Sequence, residues 1–353
     1  MKVFICFCLG IIFCMQLSAR DNENFYSPGH AFIQYMGRID RSFPQRATMW
    51  ASATQVRFSF KGTGCKIIIT DEELYGKYHN YLDIIVDGAY KRIKLTKKRD
   101  TLVVAAGLNN STHQVVISKS TEAGIGYISF EGLFCNKLVK SKALPKRKIE
   151  SYGDSITSAM ASDTSAAACH KAEWYDQTNG YKSYASITAR TLKAQYQLTS
   201  VSGIGLMHSC CGMDIVMPQV YDKLSLRENM LPWDFTKYQP DVVTICLGQN
   251  DGVQDSAAFC NAYIRFIKKL RGHYPRAGIV CLTSPMADAT LKAALVKYLS
   301  AIVTALHNSG DKNIYKFYFS RQSISGCDSH PSLSEHEQIA GELTGFIKKI
   351  KNW

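Results

Sequence analysis

The sequence lacks several patterns that identify common classes of functional site. It has twelve cysteines but no Cys-x-x-Cys pair, and no group of cysteines and histidines has the spacing of a zinc site. Beyond the first twenty residues no apolar run is long enough to span a bilayer, and no internal repeat or low-complexity stretch occurs. The chain therefore reads as a soluble globular protein, and at 353 residues it is long enough for two domains.

Concentrated positive charge is also missing. The formal net charge is +13 and the sequence pI is about 9.1, yet lysine and arginine are scattered along the chain. The strongest local run, residues 137–148, is predicted to be an interdomain linker. Net charge alone does not choose between nucleic acid and acidic glycan or anionic surfaces as partners. Because net charge is the one feature that favours nucleic-acid binding, we expect no nucleic-acid partner.

The first residues have the layout of a secretory signal peptide. Lys2 precedes an apolar stretch over residues 3–17, and small residues then lead into a polar segment. This pattern predicts a signal peptide over residues 1–19 and an exported protein, periplasmic or extracellular. Lipoprotein anchoring at Cys14 is disfavoured, because Phe13 places a bulky ring where processing requires a small residue.

Cysteine pairing stays open at this stage. Three cysteines fall inside the predicted signal peptide, and the remaining nine cannot all pair because their number is odd. Cys246 and Cys281 lie within apolar strand-like runs, where a cysteine usually acts as a small buried hydrophobic residue.

Residues 25–140 have the pattern of an all-β domain. Short runs rich in β-branched and aromatic residues alternate with turn residues, and no segment has a convincing helical pattern. Asp87-Gly88 between two of these runs is a strong hairpin signal. We therefore predict a β-sandwich. The predicted strands are residues 56–60, 65–70, 81–86, 90–95, 101–105, 113–118 and 127–130.

Residues 146–353 change to a repeating order of strand, loop and helix. Apolar residues at helical spacing predict helices around residues 259–270, 291–306 and 339–350. Strands that alternate with helices predict a doubly wound α/β domain with a five-stranded parallel sheet. The predicted strands are residues 148–152, 196–201, 242–247, 278–282 and 314–319.

Three of these strands are followed by a residue that suits acyl transfer, at the sheet edge where α/β proteins bind ligands. Ser155 follows the first strand as a candidate nucleophile, although a helix N-cap is the alternative. Gly205 follows the second strand and could donate its N–H to an oxyanion, and Asn250 follows the third and could donate its amide. Each of the last two is also an ordinary loop residue.

A histidine precedes the final helix. His330 can act as base toward Ser155, and Asp328 can orient its ring, whereas a lone surface histidine is the default interpretation. Asp154, adjacent to the serine, is interpreted as structural. The order and complementarity of these residues predict a serine hydrolase, and the absence of a G-x-S-x-G motif disfavours the α/β-hydrolase fold.

These blocks resemble a known family. Four segments are similar to the conserved blocks of SGNH (GDSL) hydrolases: Gly153-Asp154-Ser155, the glycine block at residues 202–205, Gly-x-Asn-Asp and Asp-x-His-Pro. Residues 175–181, 202–205 and 233–235, with the β-rich half in front, resemble carbohydrate esterase family 2. The resemblance implies a jelly roll followed by an SGNH domain, in which Ser155, Gly205, Asn250 and His330 each match a family position.

The implied activity is removal of acetyl groups from plant polysaccharide such as xylan or glucomannan, through an acetyl-serine intermediate and without a metal or organic cofactor. The catalytic residues would be Ser155, His330 and Asp328. The oxyanion would be held by the N–H groups of Ser155 and Gly205 and the amide of Asn250. We expect acetylated polysaccharide or oligosaccharide as the substrate.

Two positions depart from the family pattern. The wider superfamily places its acid three residues before the histidine, which is Cys327 here, and Asp328 lies only two before it. The enzyme is therefore either a Ser-His-Asp triad or a Ser/His dyad. Residues 158–161 also lack the Gly-Tyr-Gly that often follows the serine. Four aromatic residues are either a sugar-stacking platform or core: Trp174, Tyr175, Trp233 and Tyr238.

Two other functions stay open. An SGNH enzyme acting on a lipid or thioester would need a long apolar acyl channel, and the β-sandwich argues mildly against it. A carbohydrate-binding protein that has lost catalysis is disfavoured by the intact Ser155, Asn250 and His330.

Overall fold

The structure is a computed structural model that describes residues 23–226 and 231–353. The predicted signal peptide and Cys14 lie outside the described residues. The described chain divides into an antiparallel β domain followed by an α/β domain, as predicted.

Ten antiparallel strands form the first domain, and the central path of their sheet runs in the order β3-β4-β10-β5-β9-β6-β7. Strand β1 pairs with β10, and both β2 and β8 pair with β5. Two single-turn 3-10 helices lie in its loops, at Leu74–Gly76 and Ala123–Ile125. The strands are β1 Asn24–Tyr26, β2 Gln34–Met36, β3 Ile39–Asp40, β4 Ala47–Met49, β5 Gln55–Asp71, β6 Tyr81–Val86, β7 Ala89–Lys94, β8 Arg99–Ala105, β9 Ser111–Lys119 and β10 Ile128–Val139.

Glycine has opposite effects at two places in this domain. Asp87 and Gly88 have φ of 51° and 90° and join β6 to β7 in a two-residue turn, which confirms the predicted hairpin. The two strands predicted at residues 56–60 and 65–70 are instead one, β5, so that expectation was wrong. Gly62, with φ of 141°, lets the strand continue where an added Cβ would lie 2.8 Å from Cβ of Asn136. A glycine inside a strand thus marks an irregularity and not a turn.

The second domain contains the predicted five-stranded parallel sheet, in the order β12-β11-β13-β14-β15. Every residue of β13 and β14 is buried, as expected for strands covered by helices on both faces. The strands are β11 Arg147–Gly153, β12 Ala194–Ser200, β13 Val242–Cys246, β14 Gly278–Leu282 and β15 Ile314–Phe317.

In the described part of this domain six α-helices accompany the sheet: α1 Ser155–Ser158, α2 Tyr184–Thr191, α3 Met217–Val220, α4 Ser256–His273, α5 Ala289–Asn308 and α6 Leu333–Lys351. Four short 3-10 helices also lie among its described residues, at Trp174–Gln177, Gly180–Lys182, Phe235–Lys237 and Cys327–Ser329. Contrary to the sequence-based expectation, α5 is long and apolar enough to cross a membrane by length and composition alone. It connects β14 to β15 and buries one apolar face in the core: Leu291, Leu295, Tyr298, Leu299, Ile302, Val303 and Leu306.

The two domains share buried polar contacts. Arg38, between β2 and β3, inserts into the α/β domain, where its Nη2 lies 2.8 Å from Oε1 of Glu150 on β11. Both side chains are fully buried, and Nη1 of Arg38 also donates to the carbonyl oxygens of Tyr221 and Lys223. Trp50 and Ala123 of the first domain belong to the same hydrophobic cluster as the α/β core. The two domains therefore share a buried interface with both polar and apolar contacts.

Candidate active site

Ser155 lies at the first turn after β11. Asp154 is the N-cap of α1, and its Oδ1 accepts a hydrogen bond from the N–H of Ile156 at 3.0 Å. This contact agrees with the structural interpretation of Asp154, and it makes Ser155 the first helical residue and not the cap. Burial raises the pKa of Asp154 to about 7. An added Cβ at Gly153 would lie 2.0 Å from Oγ1 of Thr157, so the strand can enter this turn only through glycine.

Ser155 and His330 meet directly. Ser155 is 5% exposed, and its Oγ lies 2.9 Å from Nε2 of His330. Nδ1 of the same ring lies 3.0 Å from the carbonyl oxygen of Asp328. A carbonyl oxygen can only accept, so Nδ1 carries the proton and Nε2 presents its lone pair to the serine hydroxyl. This is the tautomer that a general base for Ser155 requires.

The ring of His330 is held in its neutral form. Burial lowers its pKa, and the hydrogen bond to the Asp328 carbonyl and the negative charge of the Asp328 carboxylate oppose that effect to a smaller extent. A histidine whose pKa lies below its ordinary value is unprotonated near neutral pH and can accept a proton.

Asp328 contacts the histidine through its main chain and not its carboxylate. Its Oδ1 lies 3.6 Å from Nδ1 of His170, and about half of the Asp328 side chain is exposed. Asp328 and Ser329 have positive φ of 50° and 56°, which turns the Asp328 carbonyl toward the ring. Asp328 therefore contacts His330, as expected, but it does so through its main-chain carbonyl and not through its carboxylate.

Cys327, at the position of the superfamily acid, is bonded to Cys169. The N–H of Cys327 also donates to the carbonyl of Ala161 at 2.8 Å. The disulfide and this hydrogen bond tie the loop that carries His330 to the segment that follows α1. The disulfide was not predicted from the sequence, because cysteine spacing does not determine pairing.

The two other predicted oxyanion donors adjoin one another. Nδ2 of Asn250 donates to the carbonyl of Ile204 at 2.9 Å and lies 3.5 Å from Oδ2 of Asp154. The N–H of Gly205 donates to Oγ of Ser209 at 3.0 Å. Both predicted donors therefore have protein partners in this structure, and the contact of Asn250 with Asp154 is the longest of them.

Asp251 binds the main chain that directly follows the glycine block, a role that was not predicted from the sequence. Its carboxylate accepts three main-chain N–H groups, from Leu206, Met207 and His208, at 2.6 to 3.0 Å. An added Cβ at Gly205 would lie 1.8 Å from the carbonyl oxygen of His208, so only glycine fits within this loop. The signal that could have identified Asp251 is its position directly after Asn250 at the end of β13.

Glu122 is a second residue that was missed, and it comes from the β domain. Its Oε2 accepts both the N–H and the hydroxyl of Ser202, at 2.9 and 2.5 Å. Burial raises its pKa, and the hydrogen bonds from Ser202 oppose that effect. The first domain thus hydrogen-bonds to the glycine block behind the candidate oxyanion site.

The four aromatic candidates are divided between two places. Trp174 and Tyr175 pack beside Tyr81 and Tyr78, where the two domains meet. Trp233 and Tyr238 line a cavity with Lys148, at the amino-terminal end of β11. Because Ser155 follows the opposite end of that strand, the last two cannot be part of a sugar platform at this site, and that alternative was wrong for them. Both side chains are largely buried, and they line that separate cavity.

Comparison with known proteins places both domains. The family model "Carbohydrate esterase 2 N-terminal" matches residues 35–145, and the model "GDSL-like Lipase/Acylhydrolase family" matches residues 151–317. The chain is 33% identical to the cellulase/esterase CelE of Acetivibrio thermocellus over 332 residues, which covers 91% of this chain and 40% of that protein. It is 29% identical to an acetylxylan esterase / glucomannan deacetylase of Cellvibrio japonicus, covering 91% and 89% of the two chains.

Solved structures agree with this placement. A family two carbohydrate esterase from Clostridium thermocellum in complex with cellohexaose superimposes with a TM-score of 0.83 at 33% identity, over 91% of this chain and 99% of that one. One from Cellvibrio japonicus superimposes with a TM-score of 0.85 at 26% identity, over 94% and 98%. A carbohydrate esterase 2 N-terminal domain followed by a GDSL/SGNH hydrolase domain, with these relatives, shows that the chain belongs to carbohydrate esterase family 2.

Proposed function

We propose that this protein removes O-acetyl groups from a polysaccharide such as xylan or glucomannan, through an acetyl-serine intermediate. The observation that carries the proposal is the 2.9 Å contact between Oγ of Ser155 and Nε2 of His330, on a ring whose Nδ1 faces a carbonyl. The relative from Cellvibrio japonicus named acetylxylan esterase / glucomannan deacetylase supports the substrate class.

The reaction proceeds in two transfers. Nε2 of His330 takes the hydroxyl proton as Oγ of Ser155 attacks the acetyl carbonyl carbon, and the carbonyl oxygen becomes an oxyanion. The intermediate collapses when the bond to the sugar oxygen breaks, and His330 returns the proton to that oxygen. Water, deprotonated by His330, then attacks the acetyl-serine, and acetate leaves as Ser155 regains its proton.

The oxyanion is proposed to bind the N–H groups of Ser155 and Gly205 and the amide of Asn250. Ser155 supports this assignment because it is the first helical residue, a position whose N–H has no partner inside the helix. Asn250 supports it because the contact of its amide with Asp154, at 3.5 Å, is easily exchanged for an anionic acceptor. For Gly205, the oxyanion takes the place of the Ser209 hydroxyl.

The test is acetate release from acetylated glucomannan and acetylated xylan by the full chain, its Ser155→Ala variant and a matched Ser27→Ala variant. Ser27 is an exposed serine of the β domain. We expect release by the parent and Ser27→Ala proteins and none by Ser155→Ala. Cleavage of a long-chain ester with no release from either glycan would indicate a lipid esterase, and no activity on any ester would favour a binding protein.

Export is part of the same proposal. The Cys169–Cys327 disulfide supports it, because such bonds persist in oxidising compartments outside the cytosol. Expression in a bacterial host followed by fractionation should place the mature protein outside the cytoplasm, with Arg20 as its first residue. Retention of the complete chain in the cytoplasm would contradict the export proposal and leave the catalytic one intact.

A further inference from the structure

A cavity of about 510 Å³ lies between the two domains, away from Ser155. Its walls come from the amino-terminal ends of β11 and β12, the loop before β13 and the segment over β2 and β3. Ser155 follows the carboxyl end of β11, so the length of a strand, roughly 20 Å, separates the cavity from the nucleophile. A molecule bound here would leave the active site accessible.

The cavity walls are positively charged. Arg41, Lys148 and Lys237 line the cavity, and no aspartate or glutamate among the described residues does. None of the three forms an ion pair with any residue in the described ranges. The nearby carboxylate of Asp241 accepts the main-chain N–H of Lys148 at 2.8 Å and is not part of the lining. Asp40 and Asp234 lie beside Arg41 and Lys237 in an adjoining pocket. The described lining of the cavity itself carries three cationic side chains and no carboxylate, which favours an anionic ligand.

Buried polar atoms in the same wall lack partners. Gln197 is 3% exposed and Trp233 is 8% exposed, and both line the cavity. Among the described residues, Oε1 of Gln197 and Nε1 of Trp233 have no hydrogen-bond partner. Buried polar atoms in native proteins are nearly always hydrogen-bonded. One acceptor and one donor without partners point to a ligand with hydroxyl groups, since a hydroxyl both donates and accepts.

Aromatic rings complete the wall. Tyr35 and Tyr238 line the cavity beside Trp233, and the guanidinium carbon of Arg41 lies 4.9 Å from the Tyr35 ring centre. The volume lies within the usual range of small-molecule sites. The aromatic rings can pack against a sugar ring, and the polar atoms without partners can bind its hydroxyl groups. The lysines and the arginine can bind a carboxylate.

We propose that this cavity is a second carbohydrate site that binds an acidic sugar, a uronic acid unit of a glycan chain. The carboxylate of the sugar lies among Arg41, Lys148 and Lys237, and its hydroxyls contact Gln197 and Trp233. The site tethers the protein to acidic glycan while Ser155 acts on another part of the chain. It does not depend on the proposed acetyl esterase activity.

Calorimetric titration of the full-length Ser155→Ala protein tests this proposal without turnover. The probes are a xylo-oligosaccharide bearing one glucuronic acid, the same oligosaccharide without it, and inorganic phosphate. We expect the acidic oligosaccharide to bind at least tenfold more tightly than the neutral one and than phosphate. Lys237→Gln and Lys148→Gln should remove that preference, and Gln197→Leu should weaken binding of the acidic sugar. Lys268→Gln, on the exposed face of α4, is the matched control and should change nothing.

Equal affinity for the acidic and neutral oligosaccharides would overturn the proposal. So would a preference that survives both lysine substitutions, because the charge would then be recognised elsewhere. Phosphate binding as tight as that of the acidic sugar, and lost with the same lysines, would reduce the cavity to a simple anion site and reject the sugar. Lys148 and Lys237 are partly or largely exposed, so both variants should fold, and unfolding temperatures check this.

Discussion

At the scale of single residues, His330 is oriented by a main-chain oxygen. The carbonyl of Asp328 accepts from Nδ1, while the carboxylate of the same residue lies 3.6 Å from His170. The carbonyl fixes the tautomer as well as a carboxylate would, but it carries no full charge to stabilise the imidazolium that forms in the reaction. The proposed active site is thus closer to a Ser/His dyad with a distant carboxylate than to a hydrogen-bonded triad.

Asp328→Asn tests this arrangement. Since the carbonyl remains, kcat at the pH optimum should fall less than about tenfold, whereas loss of a bonded triad acid costs on the order of 10⁴-fold. The Asp328 charge raises the pKa of His330, so its removal lowers that pKa further. The base must be neutral to act, so the acidic limb of the kcat/KM profile should move to lower pH.

Two variants frame that measurement. His330→Ala should lose nearly all activity, and His170→Ala should leave kcat close to that of the parent protein. A loss of kcat equal to that of His330→Ala would show that the carboxylate acts directly on the ring. An acidic limb that moves to higher pH would contradict the effect assigned to the Asp328 charge.

Asn250→Ala tests the oxyanion assignment. Removal of one oxyanion donor typically lowers kcat by ~10²- to 10³-fold, and we expect a loss in this range with KM little changed. Because Nδ2 of Asn250 also holds the Ile204 carbonyl, circular dichroism and the unfolding temperature must show that the variant is folded. Full activity in a folded Asn250→Ala protein would make the assignment wrong.

The sequence predicted side chains better than main-chain contacts. Ser155, His330 and Asn250 follow strands or precede a helix, so their place at one sheet edge follows from topology. The carbonyl of Asp328 faces the ring because two successive residues have positive φ, which no residue type there requires. The bond from Gly205 to Ser209 likewise depends on the path of a loop.

At the scale of elements, the segment that carries His330 is short and externally fixed. The 3-10 helix Cys327–Ser329 is a single turn, too short to hold its own position. Gly326 packs so closely on the carbonyl of Ala161 that an added Cβ would lie 2.8 Å from it. The Cys169–Cys327 disulfide joins the segment to the loop before Trp174–Gln177. These ties position Nε2 of His330 beside Ser155.

Removing the disulfide should therefore lower both stability and turnover. For the double variant Cys169→Ser/Cys327→Ser we expect a loss of about 2–4 kcal/mol in the free energy of unfolding, measured by urea denaturation. We also expect a fall in kcat with a smaller change in KM, because the base and not the substrate site is loosened. Dithiothreitol should reproduce the fall in kcat in the parent protein.

The adjacent pair Cys210–Cys211 is the necessary control, since dithiothreitol also reduces it. The double variant should show no further loss of kcat in dithiothreitol. A loss that persists there would assign the redox sensitivity to the Cys210–Cys211 loop beside Gly205, and unchanged kcat in the double variant would refute a positioning role for the Cys169–Cys327 bond.

Periodicity predicted the elements of the second domain well and those of the first less well. Every residue of β13 is buried, and the buried residues of α4 recur at three- and four-residue spacing. The apolar pattern of the sequence shows both directly. Strand β5 was divided in two because Gly62 and Gly64 resemble a turn in sequence. Its continuation depends on pairing with β9 and β10, which come much later in the chain.

At the scale of the whole molecule, the two domains behave as one structure. Glu122 of the β domain binds Ser202, and Arg38 binds Glu150, across sequence separations of 80 and 112 residues. Such contacts join residues whose neighbours give no sign of pairing, so sequence patterns predicted two domains but not their interface. The proposed active site lies on the α/β domain, and Glu122 of the β domain contacts the glycine block behind it.

The Arg38–Glu150 ion pair tests how far stability depends on this interface. Both side chains are fully buried, so Arg38→Met leaves Glu150 as an uncompensated buried charge. We expect a loss of about 3–5 kcal/mol in the free energy of unfolding, measured by urea denaturation. Replacing both residues, as Arg38→Met/Glu150→Met, should recover a large part of that loss, because a well-packed apolar pair can replace a buried ion pair with little cost.

Lys66→Met is the matched control, since Lys66 forms a partly exposed ion pair with Glu23 inside the β domain. Its loss should cost no more than about 1 kcal/mol. If unfolding of Arg38→Met separates into two transitions while Lys66→Met keeps one, the ion pair is what couples the domains. A single transition with a loss below 1 kcal/mol would instead assign the coupling to the apolar contacts of Trp50 and Ala123, because these remain when the charges are removed.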